Sequence, residues 1–598
     1  MNWLSPDALN VTSKLSPQKI SARARHRLPS QAKLGIALLN LGFLLCSGAA
    51  MTQKALSAER IYINYGPLQF TLPIEDLELY AREGKIGGDL ANYAGYLKPN
   101  QLAQLRQVLQ TKADVGPVAI AQFLYSPQGE TILRRVGEVI QTKSGQSGFY
   151  AIRAALIQAA ADKNEGLTPL NVLRKFPTYG IRINSQRGFD IIDELSNTIR
   201  QSGQAIGAVE QQALAELAAE TPSDSVRLMP LFRPTAGADQ VVVGDRLMRD
   251  LRKPGPLSWD KETFTVNNIA RNRSFSVDIY LPQLSGRDAQ VIVISHGLGN
   301  NRETFVYLAK HLASYGFAVA VPEHPGSNAD RLQEVINGFA REPAPPREFI
   351  DRPLDVKDLL NELQRIYRGR LNLQKVGAIG QSFGGYTALA VAGAKLNFEQ
   401  IQKDCQLSND SLNVSLLLQC RALLVPPTDY NLQDERIKAA IAINPISSTV
   451  FGQPGMSDIK VPLMLVASSA DTVTPALPEQ IQPFTWVTEP NKYLALFKEG
   501  THFSTLARSP KDIPLPEGAL GPDQRIAFDY VKALSLAFFQ TYIAGNPEYQ
   551  PYLSASYANS ISQYAMPLNL IQSLTDIKKK QERANSTPPP IPPLITPR

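Results

Sequence analysis

The motif Gly380-Gln381-Ser382-Phe383-Gly384 is the part of the chain whose residue types point most directly to chemistry. It follows an apolar run that ends at Ile379 and precedes a helix-compatible run over residues 386–392. A Gly-x-Ser-x-Gly sequence between a strand and a helix is typical of a nucleophile elbow, a sharp turn that exposes the serine hydroxyl. The two glycines leave the room that a strained turn needs. Because the bare motif is common by chance, its position after a predicted strand supports Ser382 as a nucleophile.

A serine hydroxyl needs a base to take its proton, and the chain has five histidines to supply one. His502 stands in a loop just after the last predicted strand, from which an imidazole can reach an elbow serine, and we predict it to be the base. His324 is the alternative, since it closes the fourth predicted strand and can line the pocket. We expect His296 to be structural, and His311 to pack or face solvent within a helix.

Asp471 is the predicted acid, because it comes shortly after the apolar strand predicted at residues 462–467. A carboxylate at the carboxyl end of that strand can orient the imidazole and stabilise its cation. The alternative is a turn-forming aspartate, which is common in loops. Asp458 lies at the wrong end of the same strand. The chain order serine, aspartate, histidine is that of α/β-hydrolases.

Acyl transfer also needs hydrogen-bond donors for the oxyanion. The residue after the nucleophile, Phe383, offers one backbone N–H group. The sequence Ser295-His296-Gly297-Leu298-Gly299 ends an early predicted strand, and we predict the Leu298 N–H group as the second donor. A simple glycine turn after a strand is the alternative interpretation of this loop.

Strands and helices alternate in the second half of the chain, which predicts a mostly parallel sheet flanked by helices. The predicted strands, most of them short apolar runs, are residues 264–266, 275–280, 291–295, 318–322, 376–380, 439–444, 462–467 and 493–497. Such runs are typical of strands covered on both faces. The expected fold class is therefore the α/β-hydrolase fold, preceded by a smaller, mainly helical domain.

The predicted domain order follows from shifts in composition and periodicity. Residues 59–220 read as a helical N-terminal domain that contains no histidine and no cysteine, which favours a packed accessory role over catalysis. Residues 221–256 read as a linker, residues 257–545 as the catalytic domain, and residues 546–598 as a C-terminal extension with a proline-rich disordered tail. The insertion at residues 394–436 is a candidate lid.

The first 50 residues read as a signal peptide, which predicts a secreted or periplasmic protein. Basic residues precede an apolar run at residues 34–46, and a cluster of small residues follows it. A cytoplasmic protein that begins with a buried helix is the alternative. Removal of the leader would take Cys46 with it and leave Cys405 and Cys420, an even pair suited to a disulfide in an oxidising compartment. Two unrelated buried thiols are nearly as compatible with the sequence.

Composition and charge exclude several function classes. No run of 18 or more apolar residues is present, so a polytopic membrane protein is excluded. The net charge of +7 arises mainly from basic residues in the N-terminal leader, so the body has no field for nucleic acid. Cysteine and histidine do not cluster as metal ligands, and the predicted chemistry needs no metal or organic cofactor.

The quoted segments resemble α/β-hydrolases of the dienelactone hydrolase and plasma-type platelet-activating-factor acetylhydrolase group over about residues 260–544. The resemblance rests on His296-Gly297-Leu298-Gly299, on the segment at residues 312–324, and on Gln381-Ser382-Phe383-Gly384-Gly385. It implies the same nucleophile, acid, base and oxyanion donors as those predicted above. Residues 59–177 are similar to the N-terminal domain of unknown function found ahead of such hydrolases in cyanobacteria.

These observations together predict a serine carboxylic-ester hydrolase for short or modified acyl esters or lipids. A peptidase or thioesterase with the same triad is one alternative, because a triad does not specify its leaving group. A cell-envelope binding protein with a vestigial hydrolase domain is another. The expected partner is a small-molecule or lipid ester, with peripheral membrane or envelope contact open and no obligatory protein partner evident.

Overall fold

The structure is a computed structural model that describes residues 57–65, 68–113, 115–220, 239–243, 246–286, 288–406, 413–508 and 517–574. The predicted signal peptide, the part of the predicted linker at residues 221–238, and the proline-rich tail from residue 575 lie outside these ranges.

Fifteen strands are present within the described ranges. In chain order they are β1 (Arg60–Tyr65), β2 (Leu68–Pro73), β3 (Ile140–Thr142), β4 (Gly180–Asn184), β5 (Gln240–Val243), β6 (Arg246–Arg249), β7 (Trp259–Asn268), β8 (Arg273–Pro282), β9 (Ala289–Ser295), β10 (Phe317–Pro322), β11 (Leu371–Gln381), β12 (Ile437–Ile443), β13 (Leu463–Ser468), β14 (Lys492–Phe497) and β15 (Leu568–Ile571).

The described α-helices are α1 (Ile74–Glu83), α2 (Gly88–Ala94), α3 (Pro99–Gln110), α4 (Pro117–Leu124), α5 (Pro127–Val139), α6 (Phe149–Ala161), α7 (Pro169–Arg174), α8 (Ser185–Glu220), α9 (Val306–Ala313), α10 (Ala329–Ile336), α11 (Glu348–Ile366), α12 (Phe383–Val391), α13 (Phe398–Gln406), α14 (Ser415–Gln419), α15 (Ser448–Ser457), α16 (Gln482–Trp486), α17 (Glu517–Leu520), α18 (Gln524–Tyr542) and α19 (Ala555–Ile561). Short 3₁₀ segments cover Cys420–Leu424 and Pro547–Tyr552, and a π turn covers Leu477–Ile481.

Nine strands form the main sheet in the order β15-β14-β13-β12-β11-β9-β10-β8-β7. The six strands from β14 to β10 run parallel to one another, while β8 pairs antiparallel with β10 and with β7, and β15 pairs antiparallel with β14. Each of the eight predicted strands overlaps a strand of this sheet. The sheet therefore has the mostly parallel, helix-flanked architecture that the sequence predicted.

Alternate residues of the central strands face two separate apolar layers. In β9, Val291 and Val293 belong to one buried cluster and Ile292 and Ile294 to the other. Helices α11 and α12 cover the first face, and α9 and α18 cover the second. This burial on both faces explains why the strands read as continuous apolar runs rather than as alternating ones.

The sheet continues past the predicted end of the catalytic domain at residue 545. Strand β15 lies within the predicted C-terminal extension and pairs with β14, from Leu494↔Ile571 to Phe497↔Leu568. Residues 546–574 are therefore part of the domain built on the main sheet, because they supply its edge strand.

The N-terminal domain is mainly helical but also contains a four-stranded sheet in the order β2-β1-β4-β3, which the sequence did not predict. It has its own apolar core, in which Ala155 and Ile181 are buried. Strand β1 pairs antiparallel with β2 and parallel with β4. The sheet therefore joins segments that are about 120 residues apart in the chain.

Helix α8 is 36 residues long and connects the N-terminal domain to the domain built on the main sheet. Ala205, Val209 and Ala213 in its second half belong to an apolar cluster of the main sheet. At its end, the Glu220 carboxylate accepts the backbone N–H groups of Ala555 (3.0 Å) and Ser556 (2.8 Å), at the start of α19. The predicted domain boundary at residue 220 thus falls after a segment that already packs on the domain built on the main sheet.

The candidate lid contains a disulfide. Cys405 and Cys420, which the sequence left open as a bridge or as two thiols, are bonded with a Cα–Cα distance of 5.6 Å. The buried Glu479 carboxylate accepts hydrogen bonds from Ser415 and Gln419 of the same insertion, at 2.7 and 2.9 Å, and so anchors it to the rest of the domain.

Among the described helices, none is both long enough and apolar enough to cross a bilayer.

Candidate active site

The backbone at Ser382 is strained, as an elbow requires. Its φ of +57° and ψ of −119° lie outside the regions that ordinary residues adopt. The two motif glycines are needed for steric reasons: a Cβ atom on Gly380 would lie 2.1 Å from the Gly384 carbonyl oxygen, and one on Gly384 would lie 2.0 Å from that of Ser295. The turn can therefore form only where both side chains are absent.

The parallel strands bring the predicted groups to one edge of the sheet. Ser382 follows β11, Asp471 follows β13, and His502 follows β14, all at the carboxyl ends of their strands. The His502 Nδ1 atom lies 2.7 Å from Asp471 Oδ2, and both side chains are buried. This pairing favours the tautomer with a proton on Nδ1, in which Nε2 is the acceptor nitrogen that a base needs.

The Asp471 carboxylate is itself held by the turn that follows it. Its Oδ1 atom accepts the N–H groups of Val473 (2.8 Å) and Thr474 (2.7 Å), and its Oδ2 atom accepts the Thr474 hydroxyl (2.8 Å). Asp471 is therefore turn-forming and imidazole-bound at once. The two interpretations of this residue, which the sequence posed as alternatives, are compatible: the same carboxylate holds the turn and contacts His502.

Gln381 is a site residue that sequence reasoning missed. Its Nε2 atom lies 3.2 Å from His502 Nε2 and donates to the His502 carbonyl oxygen at 3.1 Å, while its own Oε1 atom is buried without a partner. Among the described residues, no hydrogen bond joins the Ser382 hydroxyl to the imidazole; the Gln381 amide occupies that nitrogen instead. The one signal in the sequence was a polar side chain directly before the predicted nucleophile.

The two predicted oxyanion donors lie in the loop after β9 and at the start of α12. In the described part of the chain, neither the Leu298 N–H group nor the Phe383 N–H group donates a hydrogen bond. Phe383 is the first residue of α12, where backbone N–H groups have no partner within the helix. Unsatisfied backbone N–H groups are the kind of donor that stabilises a developing oxyanion, so the structure leaves both groups available for the predicted role.

His324, the alternative base, is fully buried and bound at both ring nitrogens. Its Nδ1 atom lies 3.0 Å from Asp355 Oδ2, and its Nε2 atom lies 3.0 Å from the Ser295 hydroxyl. Burial lowers the pKa of His324 well below its ordinary value, and the positive charge of Arg352 acts in the same direction. This imidazole therefore belongs to a buried network behind the loop after β9 rather than to a site open to substrate.

His296 is structural, in agreement with the expectation. Its Nδ1 atom lies 2.8 Å from the Gly297 carbonyl oxygen, and its Nε2 atom accepts the His324 N–H group at 3.0 Å. Burial, followed by the positive charge of Arg352, lowers the pKa of His296 to about 3, so the ring is neutral at pH 7.

A buried ionic network that the sequence did not reveal lies behind these histidines. Arg273 pairs with Asp355 and Glu348, at 2.8 Å in both cases. Arg352, 0% exposed, donates to the carbonyl oxygens of His296 (2.7 Å) and Gly297 (3.3 Å). Within the described residues, no three His, Cys, Asp or Glu side chains are grouped as metal ligands would be.

Comparison with known families agrees with this architecture. Residues 57–184 match the family described as alpha/beta hydrolase of unknown function (DUF1400), and residues 290–400 match the family described as alpha/beta hydrolase fold. The second match includes the loop after β9 and the elbow but ends before Asp471 and His502. The chain has an α/β-hydrolase fold preceded by a smaller domain, and the two matches support a hydrolase of this fold.

Proposed function

We propose that the chain is a serine carboxylic-ester hydrolase that works through an acyl-enzyme. Ser382 is the nucleophile, His502 the base and Asp471 the acid of this proposal. The observation that carries it is the 2.7 Å contact between His502 and Asp471 at the same sheet edge as the strained serine.

In the proposed reaction, the Ser382 hydroxyl oxygen attacks the ester carbonyl carbon while its proton moves to His502 Nε2. The carbonyl π electrons move to the oxygen, which the Leu298 and Phe383 N–H groups hold as an oxyanion. Collapse of this intermediate breaks the bond to the alcohol, and the departing alkoxide takes the proton from His502. Water then repeats the sequence, which releases the acid and restores Ser382.

For this step the Gln381 amide moves away from His502 Nε2, so that the Ser382 hydroxyl can donate its hydrogen bond to that nitrogen. Gln381 Oε1 is buried without a partner in the present arrangement, so this arrangement is not a fully satisfied one. Contacts between nucleophile and base are often loose without substrate and tighten in the complex.

The proposed substrates are esters with short or modified acyl groups, including lipids. Ser382 is only 7% exposed, which favours a slender acyl group over a bulky one. In this proposal the disulfide-bearing insertion at residues 394–436, which Glu479 anchors to the rest of the domain, also limits access to Ser382. A place in the dienelactone hydrolase and platelet-activating-factor acetylhydrolase group belongs to this proposal, since it rests on the sequence resemblance alone.

Export is also part of the proposal. The order of charged, apolar and small residues in the first 50 positions supports it, and the Cys405–Cys420 disulfide is consistent with an oxidising compartment. Contact with the envelope or a membrane surface would then bring the enzyme to lipid esters.

An active-site-directed fluorophosphonate tests the nucleophile. We expect it to label the wild-type protein and to leave Ser382→Ala unlabelled, with loss of p-nitrophenyl butyrate hydrolysis in that variant. Ser560→Ala is the matched control, since the Ser560 hydroxyl only donates to the carbonyl oxygen of Tyr557 in its own helix. It should be labelled like the wild type.

Equal labelling of wild type and Ser382→Ala would end the proposal. Parallel assays with a thioester and an anilide of the same acyl group check the leaving group, and faster turnover of either would replace the ester assignment.

A further inference from the structure

The orientation of the Leu298 N–H group is set by the peptide unit that it shares with the Gly297 carbonyl group. In a planar trans peptide the N–H and C=O bonds point in opposite directions. Any group that holds the Gly297 oxygen therefore fixes where the Leu298 N–H group points.

Two donors hold that oxygen. His296 Nδ1 lies 2.8 Å from it, and Arg352 Nη2 donates to it at 3.3 Å. Arg352 Nη1 also donates to the preceding carbonyl oxygen, that of His296, at 2.7 Å. The planar guanidinium therefore fastens two successive peptide units of the loop.

The same guanidinium contacts the residue that carries the second donor. The Arg352 Cζ atom lies over the Phe383 ring, 4.5 Å from its centroid. Phe383 is fully buried, so its ring position and the start of α12 are coupled by packing. The Arg352 side chain thus contacts the peptide unit that carries the Leu298 N–H group and the residue that carries the Phe383 N–H group.

Arg352 is itself positioned and charged. Its Nε atom donates to the Ser327 hydroxyl at 2.8 Å, and Glu348 lies 3.7 Å away as counter-ion. Burial lowers the pKa of Arg352 to about 10, which leaves it a cation at neutral pH. A buried cation on the carbonyl side of a peptide also polarises the N–H group on its other side.

We propose that Arg352 is a positioning residue for the oxyanion site: it orients the Leu298 amide through the Gly297 carbonyl and supports Phe383 through its ring. This inference rests on the proposed function. A purely structural buried charge would stabilise the fold without any preference for the transition state.

Arg352→Lys tests this role, because lysine keeps the charge but lacks the planar fork and the broad face against the ring. We expect kcat for p-nitrophenyl butyrate to fall about tenfold to hundredfold, less than or near the 10²–10³ loss from removal of a whole donor. KM should change less than threefold. The inhibition constant of a trifluoromethyl ketone, whose adduct mimics the oxyanion, should rise by the factor by which kcat/KM falls.

Arg271→Lys is the matched control. Arg271 is a partly buried arginine of the same network, paired with Asp351, Asp355 and Asp358, and none of its hydrogen bonds among the described residues reaches the 296–298 loop or Phe383. Its variant should keep kcat and the inhibition constant within threefold of wild type. Ser327→Ala removes the hydroxyl that accepts from Arg352 Nε and donates to Glu348, so it should loosen the Arg352 guanidinium and give a smaller loss in the same direction. It carries the test if Arg352→Lys does not fold.

The outcomes separate the two proposals. If wild type shows Ser382-dependent hydrolysis but folded Arg352→Lys behaves like Arg271→Lys, the inference fails alone. A loss of kcat without the parallel loss of ketone affinity also overturns it. If wild type shows no Ser382-dependent hydrolysis, the proposed function fails, and the role of Arg352 fails with it.

Discussion

At the scale of single residues, the candidate site depends on which atom each partner occupies. Asp471 Oδ1 accepts backbone N–H groups of the turn that follows β13, while Oδ2 contacts both His502 Nδ1 and the Thr474 hydroxyl, so the carboxylate and the loop position each other. His502 and His324 both pair with a buried aspartate, at 2.7 and 3.0 Å. They differ in the second ring nitrogen, which in His324 faces Ser295 inside the network and in His502 faces the residue beside Ser382.

Asp471→Asn should lower kcat about 10³–10⁴-fold, because an amide no longer holds the imidazole with its proton on Nδ1 or stabilises its cation. Steady-state ester hydrolysis measures the loss. Asp458→Asn is the control, since Asp458 is exposed at the opposite end of β13 and should leave kcat unchanged. An Asp471→Asn enzyme within tenfold of wild type would remove Asp471 from the triad.

At the scale of elements, the turn between β11 and α12 is a strained connection that the surrounding structure must hold in place. Its strain is tolerated because the main sheet buries the flanking strand and helix, and because the Ser382 N–H group donates to the Ile443 carbonyl oxygen of β12 at 2.9 Å. The same close packing brings the carbonyl oxygens of Ser295 and His296 against Gly384, so the elbow and the start of the loop after β9 form one unit.

Gly384→Ala should abolish ester hydrolysis and lower the free energy of unfolding by about 1–3 kcal/mol, because its Cβ atom would lie 2.0 Å from the Ser295 carbonyl oxygen. Urea denaturation and activity assays check both effects. Gly203→Ala in α8 is the opposite case, since nothing lies within 4 Å of the added Cβ atom, and it should stabilise by about 0.5–1 kcal/mol. Equal effects of the two changes would contradict the steric argument.

At the scale of the whole molecule, buried neutral histidines link stability to pH. Burial lowers the pKa of His311 and of His296 to about 3, and it lowers the pKa of His324 well below its ordinary value. Each unfolded imidazole regains its usual pKa near 6.5, so at His296 and His311 the unfolded chain binds more protons between about pH 3 and 6.5. The contribution to stability is therefore complete above pH 6.5 and is lost as the pH falls through that window.

His311→Leu isolates one of these protons away from the site. His311 is 4% exposed in α9, and its Nε2 atom has no partner. We expect the slope of unfolding free energy against pH, measured with urea near pH 5, to decrease by about 1.4 kcal/mol per pH unit. Leu312→Ala, at the next and fully buried position, should lower stability equally at every pH. An unchanged slope in His311→Leu would refute the neutral assignment.

The sequence by itself determined the central strands, the elbow and the order of the candidate triad residues. Strands buried on both faces must be apolar along their length, and a turn that tolerates no Cβ atom must have glycine at Gly380 and Gly384. These demands act on residues that are neighbours in the chain, so they leave a local pattern in the order of the amino acids.

Only the tertiary structure decided which distant groups meet. The N-terminal sheet, the return of β15 to the sheet edge, the Gln381–His502 contact and the Arg352 network all join segments far apart in the chain. Their residues have no local periodicity, because each is selected by a partner that arrives through packing rather than by its neighbours in sequence. A buried arginine on α11 resembles a surface one until the fold supplies the carbonyl groups that it binds.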